Sequence, residues 1–344
     1  MKRNILVFRA VFGIFLALDI FGALAAFGFI AVFCTCGQAK VQTASREQPH
    51  VQANGKLNVT SVIFPSYDFV RVIAGDKVNL VMLLPPGAES HSYEPSPQDI
   101  VTIMNSDLFI YTGGENSRWV DRILGAQNPP GKMKILKLMD LVDTLEEVIV
   151  EGMEDDAAAS KAGAASSRPV YDEHVWTSPK NAKSITRSIA QTLAGLDPPN
   201  AEIYQKNAAA YAARLDELDS AFRSVVDGAK RKTIVFGDRF PFRYLADAYG
   251  LNYYAAFPGC SAETEPSAAT VAFLINKVKS EHIPVIFHIE LSNEKMADTI
   301  SEATGAKKLL LHSCHNISRK DFESGAGYLD LQKANAEHLK EALW

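Results

Sequence analysis

Histidine is the side chain in this sequence best suited to chemistry, and three of its eight histidines stand in distinctive surroundings. His91 lies in Pro85-Pro86-Gly87-Ala88-Glu89-Ser90-His91-Ser92-Tyr93-Glu94-Pro95-Ser96-Pro97, a loop expected to leave a strand. His174 lies in Tyr171-Asp172-Glu173-His174-Val175-Trp176, just ahead of an expected helix. His312 ends an expected strand, with Cys314 and His315 beyond it. Neutral imidazoles ligate transition metals. Delivered from separate strand ends they can meet, because the loops of open α/β sheets converge at the carboxyl ends of the strands. No close-spaced pair such as His-Glu-x-x-His occurs, so spacing alone reads each histidine as a hydrogen-bonded loop residue. Ser292, Ser301 and Ser313 have no nucleophile motif around them, which argues against a serine hydrolase. Gly113-Gly114 lacks a P-loop lysine and reads as a tight turn.

The elements that must position these side chains alternate. Apolar runs at 59–64, 79–84, 107–111 and 134–138 predict buried strands, with helical patterns at 67–74, 98–105 and 117–124 between them. An acidic then Ala/Ser/Gly-rich stretch, 151–167, predicts a surface loop. A helix is expected over 179–194, stopped by Gly195 and Asp197-Pro198-Pro199. A long helix follows from about Asn200, with Tyr204, Tyr211, Leu215, Leu218, Phe222 and Val225 forming one buried stripe. Alternation then resumes, with strands at 233–236, 252–256, 284–290 and 307–312 and helices at 242–249, 268–279, 294–304 and 328–343. The expected class is α/β: two lobes, each a mostly parallel sheet flanked by helices, joined by one long rigid helix. The expected divisions are 57–198, 199–230 and 231–344.

The chain of 344 residues has ordinary globular composition, 47% hydrophobic and 22% charged. A net charge of −5 argues against a nucleic-acid-binding surface. Four cysteines are too few for a disulfide-stapled scaffold. Residues 1–36 differ: a basic start, then an almost wholly apolar run interrupted by Arg9 and Asp19 and closed by Cys34 and Cys36. This reads as an export signal or membrane anchor. Cys36 resembles the acylated cysteine of bacterial lipoproteins, with Cys34 the alternative. Residues 37–56 read as a flexible tether. The expected location is outside the cytoplasm, tethered to the outer face of a bacterial membrane.

The stretch from Val59 to Asp99, with PPGAESHSYEPSPQDI at its core, resembles the zinc/manganese solute-binding proteins of ABC transporters, the TroA-like family. DEHVWTSPKNA resembles that family's second histidine motif, and YLDLQKANAEHLKEAL its last helix. The resemblance spans residues 57–344. It implies a monomeric carrier that holds one divalent metal between two lobes and passes it to a membrane permease, with no enzymatic step.

Carried over by position, His91 and His174 match the first two ligands, and His312 stands where a late-strand aspartate is usual. The third ligand departs from the pattern. GDRFPFRYLADAYGL puts Arg239 at or beside its place, with Asp238 adjacent. Arginine stays protonated and cannot ligate, so Asp238 is the candidate, or Arg239 pairs with a carboxylate of the site. Glu290 is the next candidate. His288 is expected to face a helix, His315 to ligate only if its loop turns back, and His50, His282 and His338 to lie at the surface. Three imidazoles and a carboxylate imply Zn2+, with Mn2+ the alternative if carboxylates are more numerous. The acidic loop lacks the histidines that many zinc members carry there.

Cys260 and Cys314 read as two buried thiols or, in an oxidising exterior, as a bridge like one in some zinc-binding members. Such a bridge would stabilise the fold by roughly 4 kcal/mol. Cys314 as a thiolate ligand is the remaining reading. The competing class is an exported mononuclear zinc hydrolase using the same histidines, an open water position, and Glu290 or Asp238 as general base.

Overall fold

The computed structural model describes residues 55–344 except 91, 128–130, 154–168 and 262–265. The signal segment with Cys34 and Cys36, most of the tether, most of the 151–167 loop and His91 therefore lie outside the described residues.

Four short strands, β1 (Leu57–Ser61), β2 (Val78–Met82), β3 (Leu108–Tyr111) and β4 (Lys134–Lys137), form a parallel sheet in the order β2-β1-β3-β4. Val59 sits beside Leu80 on one side and Leu108 on the other. The second sheet repeats this plan. β5 (Thr233–Phe240), β6 (Asn252–Pro258), β7 (Val285–His288) and β8 (Lys307–Leu310) run parallel in the order β6-β5-β7-β8. In both sheets the first strand is central and the crossovers are helical, as parallel pairing requires.

The crossovers of the first sheet contain α1 (Phe64–Ala74), α2 (Pro97–Met104) and α3 (Arg118–Gln127). Those of the second contain α6 (Arg243–Tyr249), α7 (Ala268–Ser280) and α8 (Lys295–Thr304). Between the sheets come α4 (Pro179–Leu196) and α5 (Ala201–Asp227), and after β8 come α9 (Arg319–Glu323) and α10 (Tyr328–Leu343). Helix α2 starts at a capping box. Ser96 Oγ accepts the Asp99 N–H, the Asp99 carboxylate accepts the Ser96 N–H, and Pro97 occupies the first turn. This fixes where the loop carrying His91 must end. The 27 residues of α5 span on the order of 40 Å.

One core runs through the molecule, from Phe69 and Phe109 of the first sheet region through Tyr211 and Phe222 of α5 to Phe236 and Phe287 of the second. Val235, Ile286, Leu274 and Ile300 form a smaller cluster on the opposite face of the second sheet. Neighbouring residues of one strand, Val235 and Phe236, thus point into different clusters, as strand alternation dictates.

Among the boundaries that differ from expectation, two bear on function. Strand β5 continues past Phe236 to Phe240, with a register shift between Phe236 and Arg239. Gly237 allows this: a Cβ there would lie 2.5 Å from Ala297 Cα of α8. Gly237-Asp238-Arg239 is an irregular strand end pressed against a helix. Strand β8 stops at Leu310, so His312 lies in the following loop.

Candidate metal site

The strands of both sheets end around a cavity of about 40 Å³, whose walls include Glu89, His174, Arg239, Glu290, Ser313 and His315. Glu89 follows β2, Arg239 is the last residue but one of β5, Glu290 follows β7, and Ser313 and His315 follow β8. That volume holds an ion and a few waters, well short of the several hundred Å³ of organic-ligand pockets.

His174 enters this wall from the loop before a short 3-10 turn, Val175–Thr177. Asp172 orients it: Oδ1 accepts the His174 backbone N–H at 2.7 Å and lies 3.1 Å from Nδ1. A carboxylate only accepts, so Nδ1 carries the proton and Nε2 is the nitrogen with the lone pair. Asp172 is itself held, its N–H bonded to the Leu145 carbonyl and its carbonyl accepting the Tyr244 hydroxyl at 2.8 Å. Gly259 leaves room for its carboxylate, since a Cβ there would lie 3.0 Å from Oδ2. Burial pulls the His174 imidazole down, but Asp172, Glu173 and Glu147 together lift it above its ordinary value. Glu173, whose carboxylate accepts the Asn116 N–H, is pushed up to about 7 by burial.

His315 reaches the cavity because its loop does turn back. Cys314 takes a left-handed conformation, φ 63°, rare for a non-glycine residue. Glu290 pins the turn: its carboxylate accepts the Ser313 N–H at 2.7 Å, the Ser313 hydroxyl at 2.5 Å and the His315 N–H at 3.0 Å. The His315 ring then lies 5.2 Å from that of His174 and 5.1 Å from that of Trp176, centre to centre. The Trp176 indole donates to the Ser313 carbonyl at 2.8 Å. Asn316 donates to the Pro85 and Ala88 carbonyls, tying this loop to the one that carries His91.

His312, by contrast, braces the loop from behind. It is 5% exposed, its N–H donates to Asn335 Oδ1, its carbonyl accepts from Asn335 Nδ2, and its Nδ1 accepts the Cys314 N–H at 3.0 Å. The structure puts His315 on the cavity wall and His312 outside it. Asp238 is likewise engaged elsewhere, accepting the Arg239 and Ile289 N–H groups. Burial raises its carboxyl above the usual range, with Ser292 and those N–H groups opposing. Arg239 occupies the wall in its stead, its Nε donating to the Ser261 carbonyl at 2.6 Å and its guanidinium 3.7 Å from Glu89. His288 faces Glu294 at the start of α8, as expected of a helix-facing residue, and His338 lies against the Leu310 carbonyl.

The expected Cys260–Cys314 bridge is absent, and both are free thiols. They sit in separate surroundings. Cys314 Sγ accepts from Gln332 Nε2 of α10 at 3.3 Å. The Cys260 N–H donates to Glu147, and its thiol groups with Asp172 and His174, the three offering ligand atoms within 4.8 Å of one another. Burial and neighbouring carboxylates raise both thiols well above the ordinary range. The grouping of Cys260 with Asp172 was not legible in the sequence, because no spacing links them.

Residues 59–342 match the family model described as zinc-uptake complex component A, periplasmic. The chain is 31% identical over 318 residues to the high-affinity zinc uptake system protein ZnuA of Bacillus subtilis, covering 92% of this chain and 96% of that one. It is 32% identical over 290 residues to the zinc-binding lipoprotein AdcA of Streptococcus pneumoniae, covering 84% of this chain but only 56% of the longer relative. The crystal structure of the Zn(II)-bound ZnuA-like domain of that AdcA superposes with a TM-score of 0.68 at 32% identity, covering 84% of this chain and 99% of that domain. Two parallel sheets of matching order, a wall of histidines at their ends and a match over nearly the whole described chain agree: this protein belongs to the ZnuA family of zinc-uptake components.

Proposed function

We propose that this protein is an extracytoplasmic solute-binding protein that captures a zinc ion in the cavity between its two sheets and delivers it to an ABC permease. The observation that carries this reading is an ion-sized cavity with His174 and His315 side by side on its wall and a carboxylate orienting His174. His91 is the expected third imidazole. It follows Glu89 and Ser90, which line the same cavity. An imidazole-rich set favours zinc over manganese. Glu290 serves by placing His315, and neither His312 nor Asp238 is needed as a ligand.

The relatives' names, lipoprotein and periplasmic component, support export and a lipid tether at Cys36 or Cys34. The lobes are taken as 57–198 and 231–344 around the connecting helix, and the protein acts as a monomer. Cavity size favours binding over hydrolysis, because an organic substrate would not fit. Calorimetric titration of the metal-stripped full-length chain in detergent tests the proposal. One tight zinc site with much weaker manganese binding supports it, and no tight site for either metal overturns it.

A further inference from the structure

Asp172, His174 and Cys260 bring three different donor types to one place, and the metal-capture reading uses only one of them. Their ligand atoms lie within 4.8 Å of one another, and the Asp172 Oδ1 to His174 Nδ1 separation is already 3.1 Å. Around a tetrahedral zinc ion the corresponding separations are about 3.3 Å between oxygen and nitrogen and about 3.5 Å between sulfur and nitrogen. The thiol lies within 4.8 Å of a ligand atom of each partner. It follows the end of β6 by two residues, on a different segment from the one carrying Asp172 and His174. Gly259, immediately before it, lets the two segments approach.

We propose that Asp172, His174 and Cys260 form a second position for the captured metal, an alternative to the cavity, which the ion occupies by exchanging the His174 nitrogen it binds. The inference rests on the metal-capture reading. A neutral imidazole has one lone pair. With Nδ1–H donated to Asp172, Nε2 can serve the cavity. With the ion on Nδ1, the ring proton moves to Nε2 and the cavity loses that ligand. The two positions therefore exclude one another. Entry replaces the S–H bond of Cys260 with a sulfur–metal bond and releases one proton per ion. The thiolate suits zinc, cobalt and cadmium and rejects manganese. The position thus adds a second layer of selection, one that a purely imidazole and carboxylate wall does not offer.

The test uses cobalt(II) as a coloured substitute for zinc, in the full-length chain carrying Cys34→Ser and Cys36→Ser so that Cys260 and Cys314 are its only thiols. Bound cobalt is counted by equilibrium dialysis while the near-ultraviolet spectrum reports sulfur-to-cobalt charge transfer. The expected result is one cobalt per chain with a charge-transfer band that Cys260→Ser removes and Cys314→Ser retains, with bound cobalt unchanged in both. Cobalt bound without the band, or a band that survives Cys260→Ser, overturns this inference and leaves metal capture standing. No bound cobalt at all overturns both. Should Cys260→Ser fail to fold, alkylation of Cys260 in the Cys314→Ser protein decides: slowing by zinc supports the position, and an unchanged rate overturns it.

Discussion

The Glu290 carboxylate holds the His315 backbone N–H at 3.0 Å while binding Ser313 through both its N–H and its hydroxyl. An acidic side chain just after one strand thereby sets the position of an imidazole in the loop that follows the next. Such supporting contacts are worth about 10–100-fold in metal affinity in comparable sites. Glu290→Ala should weaken zinc binding by that factor, and His315→Ala by at least as much. The double variant should bind no more weakly than His315→Ala alone, since the two act through one contact. Additive losses, measured by chelator competition, would show that Glu290 ligates the ion directly.

His174→Ala should abolish stoichiometric binding without unfolding the protein. In the parent, a bound proton competes with the metal, and neighbouring carboxylates lift the His174 imidazole above its ordinary value of 6.5. Affinity should therefore already decline above pH 6.5 as the solution is acidified. A titration series from pH 8 to pH 5 checks this, and an affinity flat down to pH 6 would remove His174 from the ligand set.

Arg239 places a permanent positive charge on the wall of a cavity read as cationic cargo space. Removing it and supplying a nitrogen in one step, Arg239→His should tighten zinc binding by at least tenfold, with faster capture at low salt. Arg239→Gln should give a smaller gain, because it removes the charge without adding a strong ligand. A loss of affinity in both variants would mean that the guanidinium supports the site, through Glu89 or the Ser261 carbonyl.

Glu173 carries a stability signature. Its carboxyl titrates at about 7 in the folded chain against an ordinary 4.5. Between those values the folded protein retains a proton that the unfolded chain has lost, so its contribution favours folding most below pH 4.5 and declines as pH rises to 7. The difference is on the order of 3 kcal/mol. Melting of the metal-free protein should show this downward slope, and Glu173→Gln should flatten it. An unchanged slope in the variant would assign the effect to Glu147 or Asp68, which burial also raises.

Strand and helix alternation was readable because each parallel strand is buried on both faces and each crossover helix has one apolar stripe, patterns that survive in a single sequence. Helix α10 appears over 328–343 as expected, and α5 within a residue of its expected start. His174 lies just ahead of a helix, as its contiguous motif led one to expect. The placement of His315 on the cavity wall was not legible, because it depends on Cys314 adopting a left-handed backbone beside contacts to Glu290, more than twenty residues earlier. The choice between two thiols and a bridge for Cys260 and Cys314 was open in the sequence for a related cause. Pairing two cysteines requires knowing which way each thiol points, and Gln332 on one side and Asp172 on the other settle that in space alone.

Helix α10 bonds back to the opening of the structure. The Tyr328 N–H donates to Asp68 of α1, its hydroxyl to the Trp176 carbonyl, and its ring lies 5.0 Å from that of Phe69. Residues 260 positions apart close the same core, so the first sheet region cannot complete its packing until residues 328–343 have arrived. Contacts this distant in sequence slow folding. A chain that must cross a membrane unfolded would be kept threadable by that delay, its first half lacking a sealed interior while the remainder is still being synthesised.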